Sequence, residues 1–290
     1  MVVCVAVVGC AVPRAQSSRQ RHDNVVAPLP PTTTAALHAP RTMHAPFAAI
    51  APLIDGRADD AVWKNAAWSE DFIDIEGPVR AVPGQRTRAK VAWSESAFYI
   101  FAELEETDVW ATLREDDSIV FQDNDFEVFI DPDGDCGAYY EIEVNAFGTV
   151  FDLFLPLPYR AGGSANHGWN ARGMQLATAI DGTMNDNRDR DRGWTVEIAL
   201  PWSALEPIDV DAADAKAINH PRGQRPPAAG DVWRINFSRV QWQLEHAGNG
   251  YRKVPGRSED NWVWTPQWMI DMHVPQWWGR VVFEAPTNAQ

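Results

Sequence analysis

Beyond residue 50 the chain alternates hydrophobic and polar residues with a period of two. Phe98, Ile100, Ala102 and Leu104 share one face of an extended run. Phe126, Val128 and Ile130 alternate with the outward Glu127 and Asp131, and Tyr140, Ile142 and Val144 with Glu141, Glu143 and Asn145. Trp194, Val196, Ile198 and Leu200 repeat the pattern, as do Trp233, Ile235 and Phe237 and the terminal run 279–284. Alternation of this kind is the signature of half-buried strands. Turn residues separate the runs: Asp131-Pro132-Asp133-Gly134-Asp135, Phe147-Gly148, Asp181-Gly182 and Pro207. Helical periodicity is confined to 59–67 and 201–205, and long loops are expected near 155–192, 206–230 and 241–272. Many short strands with few helices predict an all-β chain folded as an antiparallel β-sandwich. The length, 290 residues, suits one such domain over 49–286.

The first residues do not share this pattern. Residues 2–12 are small and apolar, and Val7-Val8-Gly9-Cys10 is similar to a lipobox, in which a cysteine is lipidated after cleavage. The apolar run is too short to span a bilayer, and it lacks the basic segment of a signal peptide. Against the alternative that the likeness is fortuitous, residues 1–12 are nonetheless expected to act as an export leader, with Cys10 as the candidate lipidation site and anchor. Residues 13–48, with Pro28-Leu29-Pro30-Pro31 and Thr32-Thr33-Thr34, are expected to form an extended linker. Such a protein would be periplasmic, cell-surface or secreted.

Charge narrows the partners. The chain carries a net charge of −15. Only Arg14, Arg19, Arg21, Arg41 and Asp23 among its charged residues precede residue 45, so the predicted domain is more acidic than the whole. That surface repels phosphate backbones and excludes nucleic acid as an expected partner. It tolerates neutral sugars and could recruit cations. All 14 tryptophans lie between Trp63 and Trp278. Flat indole faces suit the C–H faces of pyranose rings, although packing between sheets is the expected role of most. The cysteines, Cys4, Cys10 and Cys136, leave one thiol in the predicted domain and no disulfide framework.

The order of several segments resembles the family 9 carbohydrate-binding modules. Ile54-Asp55-Gly56 with Asp59 and Trp63 is similar to that family's opening. Lys90-Val91-Ala92-Trp93 and Phe98-Tyr99-Ile100 look like its next hairpin, and residues 123–131 like its acidic strand. Tyr139 to Asn145 with Gly148-Thr149, the run Gly193-Trp194-Thr195-Val196-Glu197-Ile198-Ala199-Leu200-Pro201-Trp202, and Trp262-Val263-Trp264-Thr265-Pro266 with His273, Pro275 and Gly279 follow in the same order. The resemblance covers about residues 54–283. It implies an immunoglobulin/DOMON-like sandwich that binds a mono-, oligo- or polysaccharide through aromatic residues at one end, often with structural calcium. A monomer is expected.

The resemblance implies one stacking aromatic just before the acidic strand, where this chain has Phe121 in place of a tryptophan. It implies a second in the C-terminal loop, where Trp262 and Trp264 are candidates for the ligand or for sealing the loop onto the core. Glu127 corresponds to a ligand-bonding carboxylate, which accepts hydroxyl hydrogen bonds strongly; a salt bridge to Arg239 is the alternative. Trp110 and Trp169 are further stacking candidates. His273 could bond ligand or fix its loop. Asp131, Asp133 and Asp135 present carboxylates at alternate positions around Gly134, which suits either a calcium ion or a plain Asp-rich turn.

Catalysis is the rival class. A glycoside hydrolase needs two carboxylates flanking the scissile bond. Glu127, Glu141, Glu143 and Glu197 are available, but outward strand glutamates are expected to be solvated. Nucleophile–base spacing, a metal-binding His cluster and a phosphate-binding Gly-rich loop are not evident. The sequence therefore points to a sugar binder. Hydrolysis in carbohydrate catabolism, and a surface sandwich serving protein contacts, are the alternatives.

Overall fold

The computed structural model describes residues 39–205 and 226–286. The predicted leader with Cys10, the linker up to residue 38 and most of loop 206–230 lie outside the described residues. Fourteen strands are present in this part: β1 (Thr42–Ala45), β2 (Ile73–Asp74), β3 (Thr87–Trp93), β4 (Ala97–Glu105), β5 (Asp125–Asp131), β6 (Tyr139–Asn145), β7 (Val150–Leu155), β8 (Gln175–Asp181), β9 (Gly193–Pro201), β10 (Val232–Gln241), β11 (Leu244–Ala247), β12 (Gly250–Lys253), β13 (Asp260–Val263) and β14 (Gly279–Phe283). One short helix, α1 (Ala61–Asn65), and four 3-10 turns join them.

Two sheets form the sandwich. The larger runs β1-β14-β10-β5-β6-β7, with β13 and β2 attached beside β10; the smaller runs β3-β4-β9-β8. β10 is long enough to pair with β14 through Val232 to Ile235 and with β13 through Ser238 to Gln241. Its other edge pairs with β5. These pairings are antiparallel, whereas β1 runs parallel to β14.

The predicted alternation directs the central core. Phe126, Val128 and Ile130 from β5 and Tyr140, Ile142 and Val144 from β6 face Phe98, Ile100, Ala102 and Leu104 from β4 and Val196, Ile198 and Leu200 from β9. Side-chain alternation along each strand puts these sets on one face, and burying that face supplies most of the driving force.

Each sheet is also covered on its outer face, which was not expected. Over the smaller sheet, Val62 and Trp63 of α1 and Ala66 just after it pack on Tyr99, Phe101 and Ala199. Over the larger sheet, Ile75, Met272 and Trp278 pack on Phe129, Tyr139, Phe151 and Leu153. The return segment 264–278 is pinned there by backbone bonds from Gln267 and Trp268 to the Ile75 carbonyl at 2.9 and 3.0 Å. Arg234 adds side-chain donation to the Gly134 and Gln276 carbonyls.

Three expectations are corrected. The predicted linker 13–48 ends too late, because β1 already belongs to the sheet and Phe47 bridges to Trp93. β8 lies in the predicted loop 155–192. It is an edge strand without a buried residue, so nothing forces a hydrophobic alternation on it. The predicted loop 241–272 likewise contains β11, β12 and β13, all four residues long. The two predicted helical stretches are α1 and the 3-10 turn Trp202–Leu205.

Candidate functional site

A cavity of about 630 Å³ lies on the outer face of β5, β6 and β7. Its floor is formed by Glu127 and Phe129 of β5, Glu141 and Glu143 of β6, and Phe151 and Leu153 of β7. Strand register sets this pattern: Glu127 is opposite Glu143, and Phe129 is opposite Glu141. Ile119 and Phe121 wall the cavity from the segment before β5, Tyr159 and His167 from the connection after β7, and Ile270 and His273 from the return segment. Ile119, Tyr159 and Ile270 are exposed at 53%, 46% and 70%, so apolar side chains share the rim with Asp117, Glu259 and Asp271 above an acidic floor. Among the described residues no lysine or arginine lines it.

The floor glutamates are not the solvated residues expected. Glu127, Glu141 and Glu143 are 5% exposed or less, and Asp125, next to them at the start of β5, is fully buried. The Phe121 N–H donates to Glu143 Oε2 at 2.9 Å, and the Val240 N–H donates to Asp125 Oδ1 at 3.0 Å. Asp125 Oδ2, Glu127 Oε2 and Glu141 Oε2 are buried without a hydrogen-bond partner among the described residues. Burial pushes the Glu127 carboxyl up to about 7. Burial and then the neighbouring carboxylates raise Asp125, Glu141 and Glu143 above the usual range.

His273 joins the wall rather than the floor. Its Nδ1 is 2.9 Å from the Tyr139 hydroxyl, and its ring meets Tyr159 edge-on at 4.5 Å. Burial lowers it to about 4, so at neutral pH the ring is uncharged. Its Nε2, 3.9 Å from Glu141 Oε2, then forms no ion pair.

The structure therefore brings Phe121, Glu127 and His273 together at one cavity. It places the four candidate tryptophans elsewhere. Trp169 packs against Tyr140 at 4.9 Å in the central core and donates to the Ala204 carbonyl. Trp110 is 6% exposed and does not line the cavity. Trp262 and Trp264 do share one side, as alternation requires, but that side is the central core. Trp264 is fully buried with its ring over Gly279, where a Cβ would come within 2.2 Å of it. Ten of the fourteen tryptophans are buried and none lines the cavity. Arg239 does not pair with Glu127. It lies fully buried, 3.3 Å from Glu106.

The Asp131–Asp135 turn does gather its three carboxylates to within 4.8 Å. Its own backbone already uses several of the oxygens. Asp131 accepts from the Gly134 and Cys136 N–H groups at 2.9 and 3.0 Å, and Asp135 from Gly137 at 2.8 Å.

Asp125, Glu141, Glu143, Phe129, Phe151 and Tyr159 were not picked as site residues from sequence. One signal was available. Phe151, Leu153 and Leu155 make β7 apolar on its outer face while Val150 and Phe154 face the core. A strand apolar on both faces must be covered on both.

The sandwich with an acidic, aromatic-walled cavity defines a ligand-binding β domain. The family model for carbohydrate family 9 binding domain-like proteins matches residues 54–219, more than half of the chain, and the chain belongs to that family. Two curated relatives are Exoglucanase XynX of Acetivibrio thermocellus, 25% identical over 154 residues, and Endo-1,4-beta-xylanase A of Thermoanaerobacterium saccharolyticum, 24% identical over 156 residues. The matches cover 53% and 54% of this chain but only 12% and 11% of those enzymes. Among solved structures, a family 9 carbohydrate-binding module of Caldicellulosiruptor kristjanssonii, in complex with cellotriose, covers 86% of this chain and 96% of its own at 15% identity and a TM-score of 0.50. A Bacteroides uniformis structure assigned as a carbohydrate-binding protein covers 85% and 100% at a TM-score of 0.58 and 15% identity. These likenesses show the fold.

Proposed function

We propose that this protein is an exported carbohydrate-binding protein that holds a neutral sugar in the cavity over β5, β6 and β7 and does not cleave it. The observation that carries this is the coincidence of Phe121, Glu127 and His273, drawn from three separate chain segments, at one concave site with apolar and aromatic side chains in its wall. Sugar rings need flat apolar contact together with oriented acceptors. Phe121 and Tyr159 supply the former, and Glu127 and its neighbours supply the latter. The module of C. kristjanssonii binds cellotriose and glucose, so gluco-configured sugars are the first ligands to test.

Hydrolysis fits the cavity poorly. Cleavage requires an acid and a nucleophile or base on opposite sides of one bond, whereas Glu127, Glu141 and Glu143 rise from adjacent strands of one sheet face. Export, and lipid anchoring through Cys10, belong to the same proposal. No described helix is long and apolar enough to cross a membrane. Calcium at Asp131, Asp133 and Asp135 belongs to it as an ion bracing the β5–β6 turn.

The test is calorimetry with glucose and cello-oligosaccharides beside a reducing-end assay on the same samples. Saturable heat without new reducing ends supports the proposal. Absence of heat across a sugar panel, or release of reducing ends, would overturn it.

A further inference from the structure

The cavity floor holds more buried carboxylate oxygen than its own hydrogen bonds use. Asp125, Glu127 and Glu143 each place one carboxylate oxygen within 4.8 Å of the other two. Calcium binds oxygen at about 2.3–2.6 Å, so ligands on opposite sides of one ion lie roughly 5 Å apart. The three carboxylates thus converge to a spacing that one ion spans. Two of them also present an oxygen with nothing to accept from. Asp125 Oδ2 and Glu127 Oε2 have no hydrogen-bond partner among the described residues, on side chains that are fully and 95% enclosed. Burying a carboxylate oxygen without a donor is costly. Three buried carboxylates side by side repel one another unless protons or a cation intervene.

We propose that Asp125, Glu127 and Glu143 form a binding site for one divalent cation of the calcium class. The site lies at the floor of the cavity, which Glu127 and Glu143 line and Asp125 backs, separate from the Asp131–Asp135 turn. The donor set is entirely carboxylate oxygen, which suits hard cations rather than zinc or copper. The backbone fixes two of the three ligands from behind, through Val240 N–H on Asp125 Oδ1 and Phe121 N–H on Glu143 Oε2. Glu127 and Glu143 are opposed across one antiparallel pair, so the site is built into sheet register rather than into a loop. Glu141 and Glu259, which also line the cavity, add negative potential without a lysine or arginine to oppose it. The remaining coordination positions face the cavity and would be filled by water. The proposal does not rest on sugar binding.

The experiment is calcium titration by calorimetry of the full chain stripped with chelator, with no sugar present. Four proteins are compared: wild type, Asp125→Asn, Glu127→Gln, and the double variant Asp133→Asn with Asp135→Asn. Wild type is expected to bind calcium saturably. Each floor variant should weaken or abolish one binding event by at least tenfold, and the turn variant should retain that event. The amides match the acids in shape and carry no charge. In chelator both floor variants should therefore melt at or above the wild-type temperature, which separates loss of the ion from loss of the fold. If Asp125→Asn fails to fold, Glu127→Gln, which lines the cavity, carries the comparison. No saturable calcium binding by wild type, or binding unchanged in the floor variants and lost in the turn variant, would overturn the proposal. Sugar affinity is read separately, so either result leaves the sugar proposal open to its own test.

Discussion

On the smaller sheet, the buried carboxylate of Glu197 is saturated with donors. It accepts from the Asp55 and Gly56 backbone at 3.0 and 2.9 Å and from Trp63 Nε1 at 2.7 Å. On the larger sheet, the buried carboxylates of Asp125, Glu127 and Glu141 each keep an oxygen without a donor. Both groups arise the same way, as outward residues of strands whose outer faces are covered. Glu197 meets a cover made of backbone N–H groups and an indole, and it ties the 54–63 segment and α1 to β9. Gly56 makes that closure possible, at φ +81° and where a Cβ would come within 3.1 Å of the Ala179 backbone nitrogen. The floor carboxylates meet a cover that stops short and leaves a cavity. Equal burial therefore serves two ends: a satisfied carboxylate holds the fold together, and an unsatisfied group of them waits for a ligand.

The contrast breaks most sharply by mutation. Glu197→Ala strands three donors, two of them buried, and is expected to lower stability by about 3 kcal/mol or more, read as a shifted urea midpoint. Glu127→Gln, measured in chelator, is expected to leave that midpoint unchanged or raise it. Equal losses for the two would erase the distinction. Trp264→Ala belongs with Glu197, since it empties a packed core site and should cost about 3–5 kcal/mol while leaving the cavity walls in place.

Calcium is the next lever. At about a hundredfold excess over its dissociation constant, an ion that binds only the folded chain adds about 2.7 kcal/mol. Melting should rise by several degrees between chelator and calcium. Coincident melting curves would remove both the floor site and the Asp131–Asp135 ion.

Phe121→Ala should weaken sugar binding by about 1–2 kcal/mol, seen calorimetrically, with little change in melting. Trp110→Ala and Trp169→Ala should act on stability instead. Full affinity in Phe121→Ala would move the sugar out of this cavity.

The smallest effect is a titration. Tyr139, Tyr159, Glu141 and Asp271 surround His273, and burial lowers it to about 4 from an ordinary 6.5. The unfolded chain then binds a proton that the folded chain refuses between those values. Stability contributed here is complete above pH 6.5 and lost as pH falls toward 4. An NMR midpoint for the His273 ring near pH 6.5 would contradict this placement.

Much of the fold was legible in sequence because strand alternation is a local property. Each predicted inward set, from Phe98 to Leu104 through Trp233 to Phe237, faces the central core. The same periodicity put Trp262 and Trp264 on one side. It also marked Glu127, Glu141, Glu143 and Glu197 as outward, and the order of segments carried the family. Alternation says which side of a strand a residue takes, but not what lies over that side. Coverage is decided by segments far apart in the chain: 264–278 returning over β5 to β7, and 54–66 over β4 and β9. That distant coverage turned glutamates expected to be solvated into buried ones, while packing between the two sheets took Trp169, Trp262 and Trp264 into the central core. It left one acidic cavity between the covers, because only packing across long sequence distance sets the water access that governs a carboxylate's charge, partners and use.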